Sequence, residues 1–327
     1  MKLKIPSNVV CLAALIAGMF LIVTQAPAQT ASPAAAASPV VKLTLIVTNK
    51  AGLSVEDVRQ EDIQVFEGKQ PRPISTFSKD LRPVDYGLVM DNSQSFRTLL
   101  APVVGAAKSL INNKRPEEEI FIIRFTGSDD IRTMSDFTSN KAELISGLDE
   151  LYISNGQSAV IDAVGIAIDH MMKVKGADTL RRRALVLFTD GEDRASYNES
   201  DPLVKLIREN DVQVFVIGFV HLLDPEPGFT RPSARVKAEK LLKRIAEESG
   251  GRAFFPRGAD ELNEAMSQVA HDLHFQYLVG FTRESKPAEK GFRKIKIETT
   301  VAPGREKLKL IARPGYLVSG PSQPTRN

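Results

Sequence analysis

Leu88-Val89-Met90-Asp91-Asn92-Ser93-Gln94-Ser95 is the stretch on which the reading of this chain turns. From Tyr86 to Met90 the residues are apolar and read as a buried strand. The strand ends in one carboxylate and two hydroxyls at alternate positions, Asp91, Ser93 and Ser95, with no Lys or Arg among them. Oxygen donors at a strand end, followed by a helical pattern, suit a hard cation, since Mg²⁺ takes oxygen ligands and keeps several waters. Ser, Asn and Asp also cap helices, so this stretch alone leaves both readings open.

Two downstream segments carry the same chemistry. Ser154-Asn155-Gly156-Gln157-Ser158-Ala159 is a polar turn that opens a long amphipathic helix. Ala184-Leu185-Val186-Leu187-Phe188-Thr189-Asp190-Gly191 is a second buried strand ending on a carboxylate and a glycine. In an open parallel sheet, ligands sit outside the carboxyl ends of the strands where the strand order reverses. Two strands ending in Asp, with a hydroxyl loop beside them, can converge on one such point.

With these three segments the chain resembles a von Willebrand factor type A domain of a bacterial exported family. The metal-ion-dependent adhesion site of that family is written D-x-S-x-S, then Thr, then Asp within T-D-G. Asp91-Asn92-Ser93-Gln94-Ser95 matches the first part, and Thr189-Asp190-Gly191 the last. Ser158 stands at the Thr position, which keeps the hydroxyl and drops a methyl. The resemblance implies a Rossmann-like fold and a metal site at Asp91, Ser93, Ser95, Ser158 and Asp190. It implies that the three serines bind the ion directly when a partner is bound, and that the two aspartates act largely through water. Neutral hydroxyls leave the ion electron-poor and so receptive to a partner's carboxylate. Mg²⁺ is the expected ion, with Mn²⁺ or Ca²⁺ as alternatives.

Around these segments strand and helix patterns alternate. Apolar runs at 120–125, 184–188 and 212–217 are separated by helical stretches at 96–112, 141–151, 159–174, 203–209, 236–248 and 261–273. Such alternation predicts an α/β fold with a doubly wound, mostly parallel sheet, here over residues 84–275. The flanks differ. Residues 40–80 and 276–318 read as short strands, each set too small to cover its own apolar face. They are expected to form one β-rich unit together, and the motifs there are less specific than those of the metal site.

Composition narrows the function. Lys plus Arg number 43 and Asp plus Glu 40, a net charge of +3 that carries no footprint for nucleic acid or an anionic membrane. Lys2 and Lys4 precede an apolar run from Val9 to Val23, and Ala26-Pro27-Ala28 follows it. This order predicts a cleaved secretory signal over residues 1–28, and hence a periplasmic or extracellular protein with no membrane attachment after cleavage. An uncleaved anchor is the competing reading, although the run is shorter than the roughly 20 residues of a membrane span. The lone Cys11 lies within the run. The Ala/Ser/Pro stretch 29–39 and the polar tail 319–327 read as disordered.

G-x-S-x-G, H-E-x-x-H, Walker A and G-x-G-x-x-G motifs are absent from the sequence. The leading expectation is therefore a non-enzymatic module that docks an acidic side chain of a protein partner on the metal. A Mg²⁺-dependent hydrolase of phosphoesters and a structural protein with a loop-stapling metal are the alternatives. Three further features have two readings each. Glu192 and Asp193 either steer a partner or form a solvated loop. His271 and His274 share a helix face and read either as a zinc pair or as last-turn histidines on the helix dipole. Arg181-Arg182-Arg183 reads either as an anion site or as a solvated strand entrance.

Overall fold

The computed structural model describes residues 40–176, 180–226, 232–283, 291–300 and 307–318. They belong to the compact unit Ser38–Asn327. The expected signal segment, the 29–39 linker and the 319–327 tail lie outside the described residues.

The centre is β5 (Val84–Asp91), in which every residue is buried. Its side chains alternate between the two faces of the sheet. Val84, Tyr86, Leu88 and Met90 enter one apolar cluster, and Val89 enters the other. Phe121 crosses Gly87 so closely that a Cβ there would lie 2.1 Å from its ring. Parallel neighbours are β6 (Ile120–Phe125) and β8 (Arg182–Thr189). Beyond them lie β7 (Ile131–Thr138), antiparallel to β6, and β9 (Gln213–Gly218) and β10 (Ala253–Phe254), parallel to β8 and to each other. The order is β10-β9-β8-β5-β6-β7. The chain runs from β5 outward through β6 and returns to the other side at β8, so the order reverses at β5.

Helices cover both faces, as the alternating pattern predicts. Three of them, α1 (Leu100–Asn112), α2 (Lys141–Asp149) and α6 (Ala259–His274), supply Val103, Leu144 and Val269 to one cluster. The other three, α3 (Val160–Lys175), α4 (Ser200–Asn210) and α5 (Ala234–Ser249), supply Val164, Ile207 and Leu242 to the other. The starts of α1 and α4 differ most from expectation, and proline explains both. In α1 and α4 the third helical residue is Pro, Pro102 and Pro202. A first-turn N–H has no intrahelical acceptor, so Pro is tolerated there. The first helix thus begins at Leu100, after a 3-10 turn at Gln94–Phe96, and α4 begins at Ser200.

The two flanks build antiparallel sheets from one another's strands. On one side, β1 (Val40–Thr48) lies between β11 (Tyr277–Thr282) and β13 (Lys309–Ile311), and β4 (Ile74–Lys79) pairs with β11. On the other, β2 (Ile63–Glu67) lies between β3 (Gln70–Arg72) and β12 (Gly291–Thr299), which also pairs with β14 (Gly315–Val318). Leu43, Leu45 and Val47 of β1 share an apolar cluster with Val65, Val279, Phe281 and Tyr316. Ile46 points the opposite way, into the cluster lined by α1 and α6. Period-two alternation in β1 thereby joins the β-rich unit to the α/β unit. Among the described residues no helix is long and apolar enough to cross a membrane.

Candidate metal centre

The reversal at β5 decides where the polar residues meet. Met90 of β5 is level with Phe188 of β8, so Asp91 and the Thr189-Asp190 pair leave the sheet at one edge as neighbours. Asp91, Ser93, Thr189 and Asp190 are all buried, and Ser158 is 5% exposed. Only Ser95 opens to solvent.

Asp91 is the hub. Its Oδ1 accepts from the Ser93 N–H at 2.9 Å, and its Oδ2 accepts from Thr189 Oγ1 at 2.7 Å. Ser158 Oγ lies 3.1 and 2.9 Å from the two carboxylate oxygens and 2.8 Å from Ser93 Oγ. Ser93 Oγ is 3.1 Å from Ser95 Oγ. A hydroxyl has a single proton to donate, so Ser158 donates to one of its three oxygen neighbours at a time.

Each loop is fixed from behind. Asn92 turns away from the oxygens: its side-chain Nδ2 donates to the Tyr152 carbonyl at 2.7 Å, and its main-chain carbonyl accepts from Ser154 N. Ser158 is held through its main chain, whose carbonyl accepts from Arg194 N and Ala195 N, while Ala159 N donates to Thr126 O. Gly191 has φ +82°, and a Cβ there would sit 2.6 Å from Leu242 Cδ1. Only glycine takes this left-handed turn so close to α5. The turn lets Gly191 N donate to Thr189 Oγ1 and Glu192 N donate to Asp190 Oδ1.

The electrostatics suit a bound cation. Burial, and next the charge of Asp190, push the Asp91 carboxyl up to about 6 against the opposing hydrogen bonds from Ser93 and Thr189. Two carboxylates taken out of water at one sheet edge repel each other. Asp190 Oδ2 is buried with no hydrogen-bond partner. A lone acceptor of this kind carries a desolvation cost that a bound cation removes. Two carboxylates and three hydroxyls form an all-oxygen donor set, which suits a hard divalent ion. The five residues singled out in the sequence thus gather at one edge, and their chemistry fits the ion.

Thr189 entered the sequence comparison only within the Thr189-Asp190-Gly191 match and not among the five candidate ligands, yet its hydroxyl donates to Asp91 and orients that carboxylate. The other features resolve into structural roles. Asp193 is half-buried and is no solvated loop residue: it accepts from Ile161 N at the start of α3 and from Ser196 Oγ. Glu192 pairs with Arg194. His271 faces Glu56 and His274 faces Glu118, so each histidine has its own carboxylate. The arginine run is not solvated either. Arg181 grips Asp85, Arg182 is buried and donates to Leu273 O, and Arg183 donates to Asn210 O.

An open, doubly wound α/β sheet with hydroxyls and two carboxylates at its reversal point defines a class of metal-site domain. The von Willebrand factor type A domain model matches residues 85–268, more than half of the chain, and the protein belongs to that family. Among curated relatives, ATP-dependent DNA helicase II subunit 2 of Aspergillus oryzae is 31% identical over 97 residues, 29% of this chain; the match spans 13% of that protein. Similar solved structures include an aerotolerance-related membrane protein of Bacteroides fragilis, with TM-score 0.46 and 19% identity, covering 58% of this chain and 98% of that one. Another is proximal thread matrix protein 1 of the mussel byssus with zinc in its metal-ion-dependent adhesion motif, with TM-score 0.47 and 17% identity, covering 64% and 50%.

Proposed function

We propose that Asp91, Ser93, Ser95, Ser158 and Asp190 hold a divalent cation, Mg²⁺ first, and that the protein is an exported binding module that docks an acidic side chain of a protein partner there. The observation that carries this reading is the buried Asp190 oxygen without a partner, beside an Asp91 crowded by hydroxyls. When bound, the ion supplies a coordination position for a partner's carboxylate. Asp91 and Asp190 supply the charge that retains it. Ser93, Ser95 and Ser158 offer neutral oxygens and leave that charge incompletely quenched. Among the described residues no group of three or more His, Cys, Asp or Glu side chains is placed to hold a metal ion. Two-metal hydrolysis calls for a richer carboxylate set, so this favours binding over turnover.

Titration calorimetry with Mg²⁺ and Mn²⁺ tests the site. Wild type is expected to bind, and Asp91→Ala to lose binding; equal affinity for both rejects the assignment. Export rests on the order of residues 1–28, and an intact mass beginning at Gln29 in the secreted fraction is the expected result. A mass that retains Met1 rejects cleavage.

A further inference from the structure

The chain has five tyrosines and no tryptophan. Tyr86, Tyr277 and Tyr316 are buried. The other two, Tyr152 at 54% and Tyr197 at 75% exposure, both stand on the loops that carry the metal-site residues. Tyr152 lies six residues before Ser158, and Tyr197 lies seven residues after Asp190.

Both rings are exposed yet fixed. Arg124 Nη2 donates to Tyr152 Oη at 2.9 Å, and its guanidinium lies 4.7 Å from the ring centroid. Arg124 is itself buried and clamped by both oxygens of Asp130 at 3.0 Å. The Tyr152 carbonyl is the one gripped by Asn92, next to Asp91. Tyr197 Oη donates to Asp129 Oδ2 at 2.8 Å, and its N–H donates to Asp162 Oδ2 at 2.7 Å. Asp129 and Asp130 belong to the turn between β6 and β7, so one turn steadies both rings. That turn also takes Ala159 N on Thr126 O, which fixes the residue after Ser158.

Exposed aromatic rings contribute little to folding. A ring held in place before binding loses little entropy when it is covered, and tyrosine is enriched among binding hot spots for this reason. Arg124 is paired with Asp130, and Arg194 with Glu192 at 2.5 Å, while the carboxylates that hold Tyr197, Asp129 and Asp162, accept from neutral groups. Beside a cation that selects a carboxylate, the rim therefore offers two held aromatic surfaces, Tyr152 and Tyr197.

We propose that Tyr152 and Tyr197 are aromatic anchors for a protein segment in which the metal-bound Asp or Glu has apolar or aromatic neighbours. This inference rests on the metal-docking reading above and adds the chemistry of the partner. Displayed short peptides with a fixed central Glu and random neighbours, selected on the full chain in Mg²⁺ and eluted with EDTA, supply the probe. Apolar and aromatic residues are expected to be enriched beside the Glu. The selected peptides are expected to weaken by roughly fivefold to thirtyfold on Tyr152→Ala and Tyr197→Ala, with Mg²⁺ affinity by calorimetry unchanged. Mg²⁺-dependent peptides without that preference, or with equal affinity for a double Tyr→Ala variant, overturn the anchors and leave metal docking standing. No Mg²⁺-dependent peptide at all overturns both. Tyrosine-dependent binding of a uronate oligosaccharide in place of any peptide assigns the rings to a sugar and overturns the proposal as well.

Discussion

Thr189 Oγ1 donates to Asp91 Oδ2 at 2.7 Å, joining the ends of two neighbouring parallel strands inside the fold. The same hydroxyl oxygen accepts from Gly191 N at 2.9 Å. Thr189 therefore aligns the first carboxylate and shapes the turn that carries the second. Thr189→Val keeps the volume and removes both roles. Loss of a buried hydrogen bond to a charged group predicts destabilisation of roughly 1.5–3 kcal/mol. Urea unfolding in EDTA measures this, and Thr189→Ser is expected to recover most of it. A Val variant as stable as wild type would contradict the role.

Charge repulsion at Asp91 predicts a crossover. In EDTA, Asp91→Asn relieves the buried like-charge pair and is expected to cost little stability or to add some. In saturating Mg²⁺ the order reverses, because the ion stabilises only a protein that binds it. At a hundredfold excess over Kd that stabilisation is about 2.7 kcal/mol. Melting with and without Mg²⁺ reads both arms. A Mg²⁺-induced shift of equal size in the Asn variant would be incompatible with a metal on Asp91.

That the five candidate residues would meet at one sheet edge, and most of the strands, were legible because their signals are local. A buried apolar run ending in Asp91-x-Ser93-x-Ser95 states both the strand and its polar end within ten residues. What was not legible depends on partners far along the chain. Asp193 serves Ile161 N, 32 residues away, and Asp162 accepts from Tyr197 N, 35 residues away, so both carboxylates read as loop or helix surface. The pairing of β1 with β11 joins residues more than two hundred positions apart, and only the uncovered apolar face of each flank hinted at it. The starts of α1 and α4 depend on proline: a helix breaker in the interior is harmless in the first turn, where Pro102 and Pro202 both fall.

Glu67 sets an acid limit on the β-rich unit. It accepts from Tyr316 Oη at 2.6 Å, Arg293 Nη1 at 2.9 Å and Arg72 Nε at 2.9 Å. Burial pushes its carboxyl up, but the donors outweigh burial and hold it below the ordinary value. Burial and Glu67 push the Tyr316 phenol up to about 12, so it remains a donor. A carboxyl depressed in the folded state contributes its stability above the unfolded value of 4.5 and loses it as pH falls through the folded value. Glu67→Gln is expected to cost about 2–3 kcal/mol at neutral pH and to flatten the acid limb. Urea unfolding across pH 3–7 decides this, and parallel wild-type and variant profiles would exclude the role.

The end of α6 is tied to the N-terminal flank through a buried ion pair, and this pair predicts an asymmetry. Asp272 is fully buried; its carboxylate accepts from Arg252 Nη1 at 2.7 Å and from Ser54 Oγ at 2.7 Å. Arg252 Nη2 donates to Gly52 O and to Gln268, and Gln276 Nε2 donates to Asp272 O. Burial nevertheless pushes the Asp272 carboxyl up, by more than Arg252 and Ser54 pull it down. Removing one partner leaves the other charge buried and alone, so Asp272→Met or Arg252→Met is expected to cost about 3–5 kcal/mol. Replacing both by Met removes two desolvation costs together and is expected to cost much less than the sum. A double-mutant cycle in urea measures the coupling, and additive losses would mean that the two charges act independently. The same variants bear on α6 as a moving part. If the tie only docks the helix, Mg²⁺ affinity in the double variant is expected to match wild type. A fivefold or larger change, corresponding to a coupling of about 1 kcal/mol or more, would instead show that the end of α6 and the metal site bias one another.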